Sequence, residues 1–307
     1  MAPLPDIKPH TALAMDAATI AKANSGDSAG IPMSAVGNPC DRSIWYGFRW
    51  VAEPEAPTGQ RERRFRTGIA YERWLLDDLR STGADVREID EATGKQFAVN
   101  LGDGHIRGKL DGLATGVIEA PKTEHVVECK SHNEKSFKAL LKDGLEKSKP
   151  DHYAQCQLYM HATGATRCLY LAANKNTDEI HTERLDYDPA FCIALVAKLE
   201  RIIASTGPLA ANEYFGCSWC RAKGQCQEGQ FARVNCRTCL HSEPRGAASW
   251  HCVRWDKPLS YADQKAGCPA HRFIPALVPG EQVDVLDGDV ITYRLADGSE
   301  YRDGEGR

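Results

Sequence analysis

The chain has 307 residues, 42% of them hydrophobic and 26% charged, with a formal net charge of −4, the balance of an ordinary globular protein. That charge excludes a uniformly basic coat but leaves room for a local basic groove. No apolar run approaches the roughly 20 residues that cross a bilayer, and the opening MAPLPDIKPHTALAMDAA lacks the basic region and apolar core of a secretory signal.

In chain order, residues 1–35 read as a loose arm with one short helix over Ala12–Ala23, and EPEAPTG (Glu53–Gly59) as a proline-rich linker. Gln60–Ser81 is expected to be helical and closed by Gly83, burying Phe65, Ile69, Leu76 and Leu79, with Glu72 at the missing step of that spacing. Asp85–Asn100 and His105–Thr115 suggest two strands joined by LGDG. His125–Lys130 reads as a strand, Lys135–Lys147 as a lysine-rich amphipathic helix, and Pro150 opens a helix that stops before Gly164. Arg167–Ala173 and Glu179–Leu185 suggest a strand pair, followed by a helix over Pro189–Ser205. From Gly216 to His271 the chain turns to loops punctuated by cysteine, glycine and proline, and the tail from Phe273 suggests a hairpin or small sheet. These elements predict an α/β class.

The segment HVVECK carries the chemistry. Side chains two apart on a strand share a face, so Glu128 and Lys130 project together while Val127 and Cys129 face away. Upstream, HIRGKLDGL places Asp111 on a neighbouring strand. Two carboxylates on adjacent strands can share a hard divalent ion such as Mg²⁺, and a lysine beside them can orient water and offset charge on a phosphate. The chemistry suggested is metal-assisted hydrolysis of a phosphodiester. A surface salt bridge between Glu128 and Lys130 fits the motif alone, and the same acid-x-Lys spacing recurs at Asp263 and Lys265. Glu72, on a core stripe, needs a partner, unless the helix is rotated and leaves it at the edge. Gln155 and Tyr159, four apart on a helix, share a face suited to a base or a phosphate.

Taken together, GIAYE (Gly68–Glu72), LDG around Asp111, ECK (Glu128–Lys130) and QCQLY (Gln155–Tyr159) resemble the PD-(D/E)xK nuclease superfamily, in its RecB-type exonuclease branch. The resemblance implies a central mixed sheet flanked by helices. It also implies Asp111 and Glu128 as ligands of Mg²⁺ or Mn²⁺, Lys130 as the catalytic lysine, and Gln155 and Tyr159 near DNA. Glu72 stands where many members carry histidine; a carboxylate there can also ligate the metal. The carbonyl of Cys129 would complete the set.

Twelve cysteines are unevenly spread, with seven between Cys217 and Cys268. Clustered thiols in a chain without a secretory signal read as metal ligands in a reducing cytoplasm. Cys217-x2-Cys220-x5-Cys226 supplies three thiolates, and Cys40 is the unassigned fourth. This split, with Arg42, Trp45 and CSWC, is similar to RecB-type nucleases that carry an iron–sulfur cluster, which implies a 4Fe–4S group joining the two ends of the catalytic domain. Zinc in the same four thiolates, or Cys40 as an ordinary buried residue, are the alternatives. Cys236-x2-Cys239-x12-Cys252-x15-Cys268 fits a closed structural Zn²⁺ site. A second iron–sulfur cluster or unliganded thiols also fit, and His241, His251 or His271 could replace one ligand. Cys129, Cys156, Cys168 and Cys192 read as core thiols.

Arg61, Arg63, Arg64 and Arg66 before Glu72, and Lys135, Lys138, Lys142, Lys147 and Lys149 after Glu128, would flank the metal site. They suit contacts to a phosphate backbone, or else form solvated helix faces. The expected organisation is an arm (1–35), a nuclease domain (36–230), and a cysteine-rich module with a C-terminal hairpin (231–307). The expected function is a metal-dependent nuclease, more an exonuclease than an endonuclease, acting on linear duplex or single-stranded DNA alongside recombination or repair proteins of phage or bacterial origin. The competing class is a DNA- or partner-binding module on a nuclease fold.

Overall fold

The computed structural model describes residues 10–23, 26–286 and 290–304. The first nine residues of the expected arm, residues 24–25 and the turn 287–289 of the expected hairpin lie outside the described residues.

A five-stranded sheet organises the chain: β1 (Asp85–Arg87), β2 (Gly112–Thr115), β3 (His125–His132), β4 (Arg167–Asn174) and β5 (Ile180–Asp186), in the order β5-β4-β3-β2-β1. Only β3 and β4 run parallel; the other neighbours are antiparallel. A parallel pair needs a long crossover, and two helices supply it: α4 (Glu134–Ser148) and α5 (Pro150–Thr163). In chain order before them stand α1 (His10–Ile20), α2 (Asp41–Phe48) and α3 (Gly59–Ser81); α6 (Pro189–Ala204) follows. The result is a mixed sheet flanked by helices, as the resemblance implies.

Alternation along β3 divides the molecule. Val127 and Cys129 face a small core with Leu75, Leu76, Leu169 and Leu171, under α3. Val126 faces the larger core, shared with Leu140, Cys156, Leu158, Tyr170 and Leu199.

Local chemistry sets the helix ends. The side chains of Thr58, Asn133 and Asp188 cap α3, α4 and α6 by accepting backbone N–H groups of Arg61, Ser136 and Phe191. Gly164 closes α5 at φ 77°, a conformation that suits glycine. Inside α4, Gly144 at φ 72° breaks the helical path. The kink separates Lys147 and Lys149 from Lys135, Lys138 and Lys142 on the straight part.

Three expectations need correction. Only the later half of the expected α3 stripe is buried: Leu76 is buried and Leu79 packs against the smaller core, whereas Phe65 and Ile69 are 52% and 56% exposed and Leu75 joins Leu76 inside. The first half of α3 packs beside α1, where Arg63 pairs with Asp16 at 2.7 Å, so only its later turns meet the sheet. Nor is HIRGKLDGL one strand. Ile106–Lys109 pairs with Ala98–Leu101 in a separate three-stranded sheet, and β2 starts afresh at Gly112. Asp111 therefore occupies the break. Asp85–Asn100 is likewise interrupted, into Asp85–Arg87, Ile89–Asp90, Lys95–Gln96 and Ala98–Leu101.

Beyond residue 230 the stretch expected as loops up to His271 instead holds a helix, Tyr261–Ala266, and a three-stranded antiparallel sheet, Ser242–Arg245 with Ser249–Cys252 and Lys257–Pro258; a second such sheet, Gly280–Leu286 with Val290–Leu295 and Glu300–Asp303, follows. The larger core runs into them without a break, from Trp45 and Phe48 to Trp250, Phe273 and Tyr293. Arg237 sits at this junction, 1% exposed, 3.8 Å from the Trp50 ring and 4.5 Å from the Trp250 ring. It donates to the carbonyls of Phe48 and Ala29 and to Gln264 Oε1, each at 2.9 Å.

Candidate active site

Strand β3 presents Glu128, Lys130 and His132 on one face, at the end of an apolar run. Glu128 is 1% exposed. Its Oε1 pairs with Lys130 Nζ, and its Oε2 is buried with no hydrogen-bond partner among the described residues. Beyond Val127, β3 has no β2 residue opposite it, because β2 begins at Gly112. The Asp111 carboxylate fills that gap: its Oδ2 accepts the Cys129 N–H at 2.7 Å. Glu72 reaches the same place from α3, half-buried and within the field of Asp111, Glu88 and Lys130.

The electrostatics show what the cluster lacks. Burial, with help from Asp111, raises Glu128 to about 7 against the opposing pull of Lys130. Burial also raises Glu72 to about 7, with Asp111 and Glu88 adding to the rise. Asp111 is raised by burial too, in part offset by Lys130 and the Cys129 amide. Burial alone would lower Lys130, but the charges of Glu128 and Asp111 more than reverse this, so it stays protonated. Three carboxylates thus share one ammonium, and at least two resist ionisation near neutral pH. A divalent cation would supply the missing positive charge and a partner for Glu128 Oε2. The Cys129 thiol is pushed well up by burial and then by the carboxylates, which makes it a poor thiolate and leaves its carbonyl as the available donor.

Gln155 and Tyr159 come to the same side of the sheet from α5, both buried. Gln155 Nε2 donates to the Tyr159 hydroxyl at 3.2 Å, which donates to the Lys109 carbonyl at 2.7 Å. Gln155 Oε1 has no partner among the described residues. The pair lines a groove of about 510 Å³ with Ser34, Asn100, Arg107 and Lys109.

Sequence reasoning missed three neighbours. His132 Nε2 and His152 Nδ1 both meet the Tyr170 hydroxyl, at 2.8 and 2.7 Å. Tyr170 lies opposite Glu128 in the β3–β4 register. His132 was within reach, since it continues the two-residue alternation after Glu128 and Lys130. Tyr170 depends on strand register and His152 on helix packing, which no local pattern carries.

Of the expected backbone-binding cations, Lys147 and Lys149 line a cavity of about 780 Å³ beside His132 and His152. Lys138 instead pairs with Glu134 one helical turn away at 2.6 Å, and Arg61 with Glu55 at 3.4 Å.

The cysteines fall into two places. Cys40, at the N-cap of α2, lines one small cavity with Cys217, Cys220 and Cys226. Arg42 Nη1 lies 3.8 Å from Cys226 Sγ, and the Trp45 indole donates to the Ser205 carbonyl at 3.1 Å. Cys236, Cys239, Cys252 and Cys268 line another cavity with His241 and His271. Burial, then the three neighbouring thiols, raises Cys236 to about 12. Among the described residues no three His, Cys, Asp or Glu side chains form a ready-made metal-holding group, so each set shares a cavity without closing on one point.

Residues 48–166 match the family model of the YqaJ-like viral recombinase domain. The YqaJ-like segment contains Glu72, Asp111, Glu128, Lys130, Gln155 and Tyr159, and ends at the start of β4. No curated protein matches the chain. Among solved structures, an alkaline exonuclease from Laribacter hongkongensis is 16% identical, with a TM-score of 0.41 over 62% of this chain and 91% of that one. The protein SSO0001 is 15% identical, with a TM-score of 0.42 over 72% of this chain and 97% of that one. A phage-related exonuclease from Haemophilus somnus 129PT is 14% identical, with a TM-score of 0.33 over 45% of this chain and 67% of that one. No described helix is long and apolar enough to cross a membrane.

Proposed function

We propose that the chain is a Mg²⁺- or Mn²⁺-dependent DNA nuclease, an exonuclease acting in phage or bacterial recombination or repair. The observation that carries this reading is Glu128: a fully buried carboxylate with one oxygen on Lys130 and the other unpartnered among the described residues, beside Asp111 at the Cys129 amide. The YqaJ-like match over the same segment supports it. Asp111, Glu128 and the Cys129 carbonyl would hold the cation, with Glu72 assisting. When bound, the ion would supply Lewis acidity toward the phosphate and would lower the pKa of water. Lys130, held protonated by its acidic neighbours, would orient the attacking water and offset charge on the phosphate. Gln155 and Tyr159, with Arg107 and Lys109 along the groove, hold the DNA strand.

The assay is degradation of end-labelled linear and closed circular DNA with Mg²⁺ or Mn²⁺. Linear DNA should be degraded and Asp111→Ala should lower the rate by about 10²-fold or more, the scale on which charge-stabilising groups act. An inactive wild type under these conditions would leave a DNA-binding module, and cutting of closed circles would make it an endonuclease.

The chemistry of the cysteine sets fits two further groups. Cys40, Cys217, Cys220 and Cys226 would hold a 4Fe–4S cluster that joins α2 to the segment after α6, and Cys236, Cys239, Cys252 and Cys268 would hold Zn²⁺. Anaerobically purified protein should be brown with about four irons per chain, and Cys217→Ala should bleach it. Colourless protein containing only zinc would contradict the cluster.

A further inference from the structure

The cavity of about 780 Å³ lies off the carboxylate cluster and has an unusual lip. Its floor is His132 and Ser136 at the end of β3 and the start of α4, its side the α4–α5 junction with Lys147 and Lys149, and its rim Tyr214, Phe215 and Trp219. Phe215 and Trp219 are 80% and 71% exposed. Their rings stand edge to face at 5.5 Å, and Phe215 makes a like contact with Tyr214 at 5.6 Å. Two adjacent aromatic rings left this open to water mark a place where something is meant to cover them.

The cavity neighbours the groove of the candidate active site. Ser34 lines both it and the groove of Gln155 and Tyr159. Glu128, Lys130 and His132 lie on one face of β3, so the cluster and the cavity floor are about 13 Å apart at the usual rise per strand residue. The kink at Gly144 turns Lys147 and Lys149 toward this space, away from the rest of α4. Burial, with Lys149 nearby, holds His132 down to about 4, and burial likewise holds His152 at about 4. The positive charge here is therefore that of the lysines, opposed at the rim by Asp151, which lies 3.8 Å from His152 Nε2.

We propose that this cavity binds single-stranded DNA, with bases stacked on Phe215 and Trp219 and phosphates at Lys147 and Lys149. Stacking needs open base faces, which a duplex hides within its own stack, so the rim selects unpaired nucleotides. The lysines add a contact that ignores sequence and weakens with salt. The nature of the ligand rests on the nuclease reading, but the test does not require cleavage.

The measurement is fluorescence anisotropy of the metal-replete protein with labelled oligothymidylate and with a blunt hairpin duplex, without added divalent cation. Each of Phe215→Ala and Trp219→Ala should weaken single-strand binding by about tenfold, the scale of one lost base stack, and change duplex binding by much less. Lys147→Gln with Lys149→Gln should weaken it too and flatten its salt dependence by about two phosphate contacts. Circular dichroism and the visible spectrum of each variant show that fold and cysteine-bound metal persist. Unchanged single-strand affinity in both aromatic variants and the lysine variant, or equal losses for single strand and duplex, would overturn the proposal. Unchanged affinity would leave the rim to a protein partner. If DNA is degraded but these variants bind normally, this inference falls and the nuclease reading stands. If single strands bind here and no DNA is degraded, the reverse holds.

Discussion

At the cation site proposed above, a divalent cation should raise the thermal midpoint far more at about pH 8 than at about pH 5.5, because carboxylates that ligate a metal must first lose their protons. Glu72 and Glu128 both sit at about 7 in the folded protein, above the ordinary glutamate value near 4.3 of an unfolded chain. A raised acid contributes stability that is complete below the unfolded value and is lost as pH rises through the folded one. Near pH 8 the ionised carboxylates repel, and the cation relieves that repulsion. Near pH 5.5 protons already do so and compete with the metal. At about a hundredfold excess over its dissociation constant, the cation adds about 2.7 kcal/mol.

The bare stability curve would hide this. His132 and His152 are lowered to about 4, so their contribution is lost as pH falls over the same window, in the opposite sense. The readout is therefore the increment on adding Mg²⁺ or Mn²⁺, followed by calorimetry at both pH values. Glu72→Gln should shrink the difference between them. Equal increments at the two pH values would contradict the shared-cation account of the cluster.

The largest loss of stability is expected from Arg237→Ala, on the order of 4 kcal/mol, from an emptied site the size of a large side chain and carbonyls left unpaired. Arg237 fills the space between Trp50 and Trp250 and satisfies two carbonyls and Gln264. Against this runs the desolvation of its own charge: burial lowers it to about 9, so the guanidinium is still protonated at neutral pH and removing it recovers part of the cost. The cavity and carbonyl terms exceed that recovery. Arg237→Met keeps much of the volume and should lose distinctly less, while Arg237→Lys keeps the charge without the planar fork and should resemble the alanine variant more closely. Denaturant midpoints rank the three, and an unchanged midpoint for Arg237→Ala would refute the junction's importance.

Local chemistry was legible wherever one residue type decides a conformation. Pro150 and Gly164 mark the ends of α5 in the sequence, and Ser81 ends α3 as Gly83 implies. Alternation in VVECK gives the correct faces of β3, because a strand buried on both sides must sort its residues by partner. The orientation of α3 was not legible: Phe65 and Ile69 are as apolar as Leu75 and Leu76, and only the extent of the sheet decides which turns it covers. The break at Asp111 was hidden for a similar reason. Nothing local distinguishes a continuous strand from two that belong to different sheets. Arg237 gave no signal either, since its partners Ala29, Phe48, Trp50 and Trp250 come from distant parts of the chain.

That break has a practical consequence for testing the proposed nuclease reading. Asp111 does the work of an absent strand neighbour, accepting the Cys129 amide, as well as standing among the acids. Alanine there removes both functions, so an inactive Asp111→Ala protein could have a frayed sheet edge. Asparagine keeps a carbonyl oxygen for the amide while discarding the negative charge. If the chain is the nuclease proposed above, Asp111→Asn is therefore the variant for catching DNA bound and uncut, with the sheet still intact beneath it.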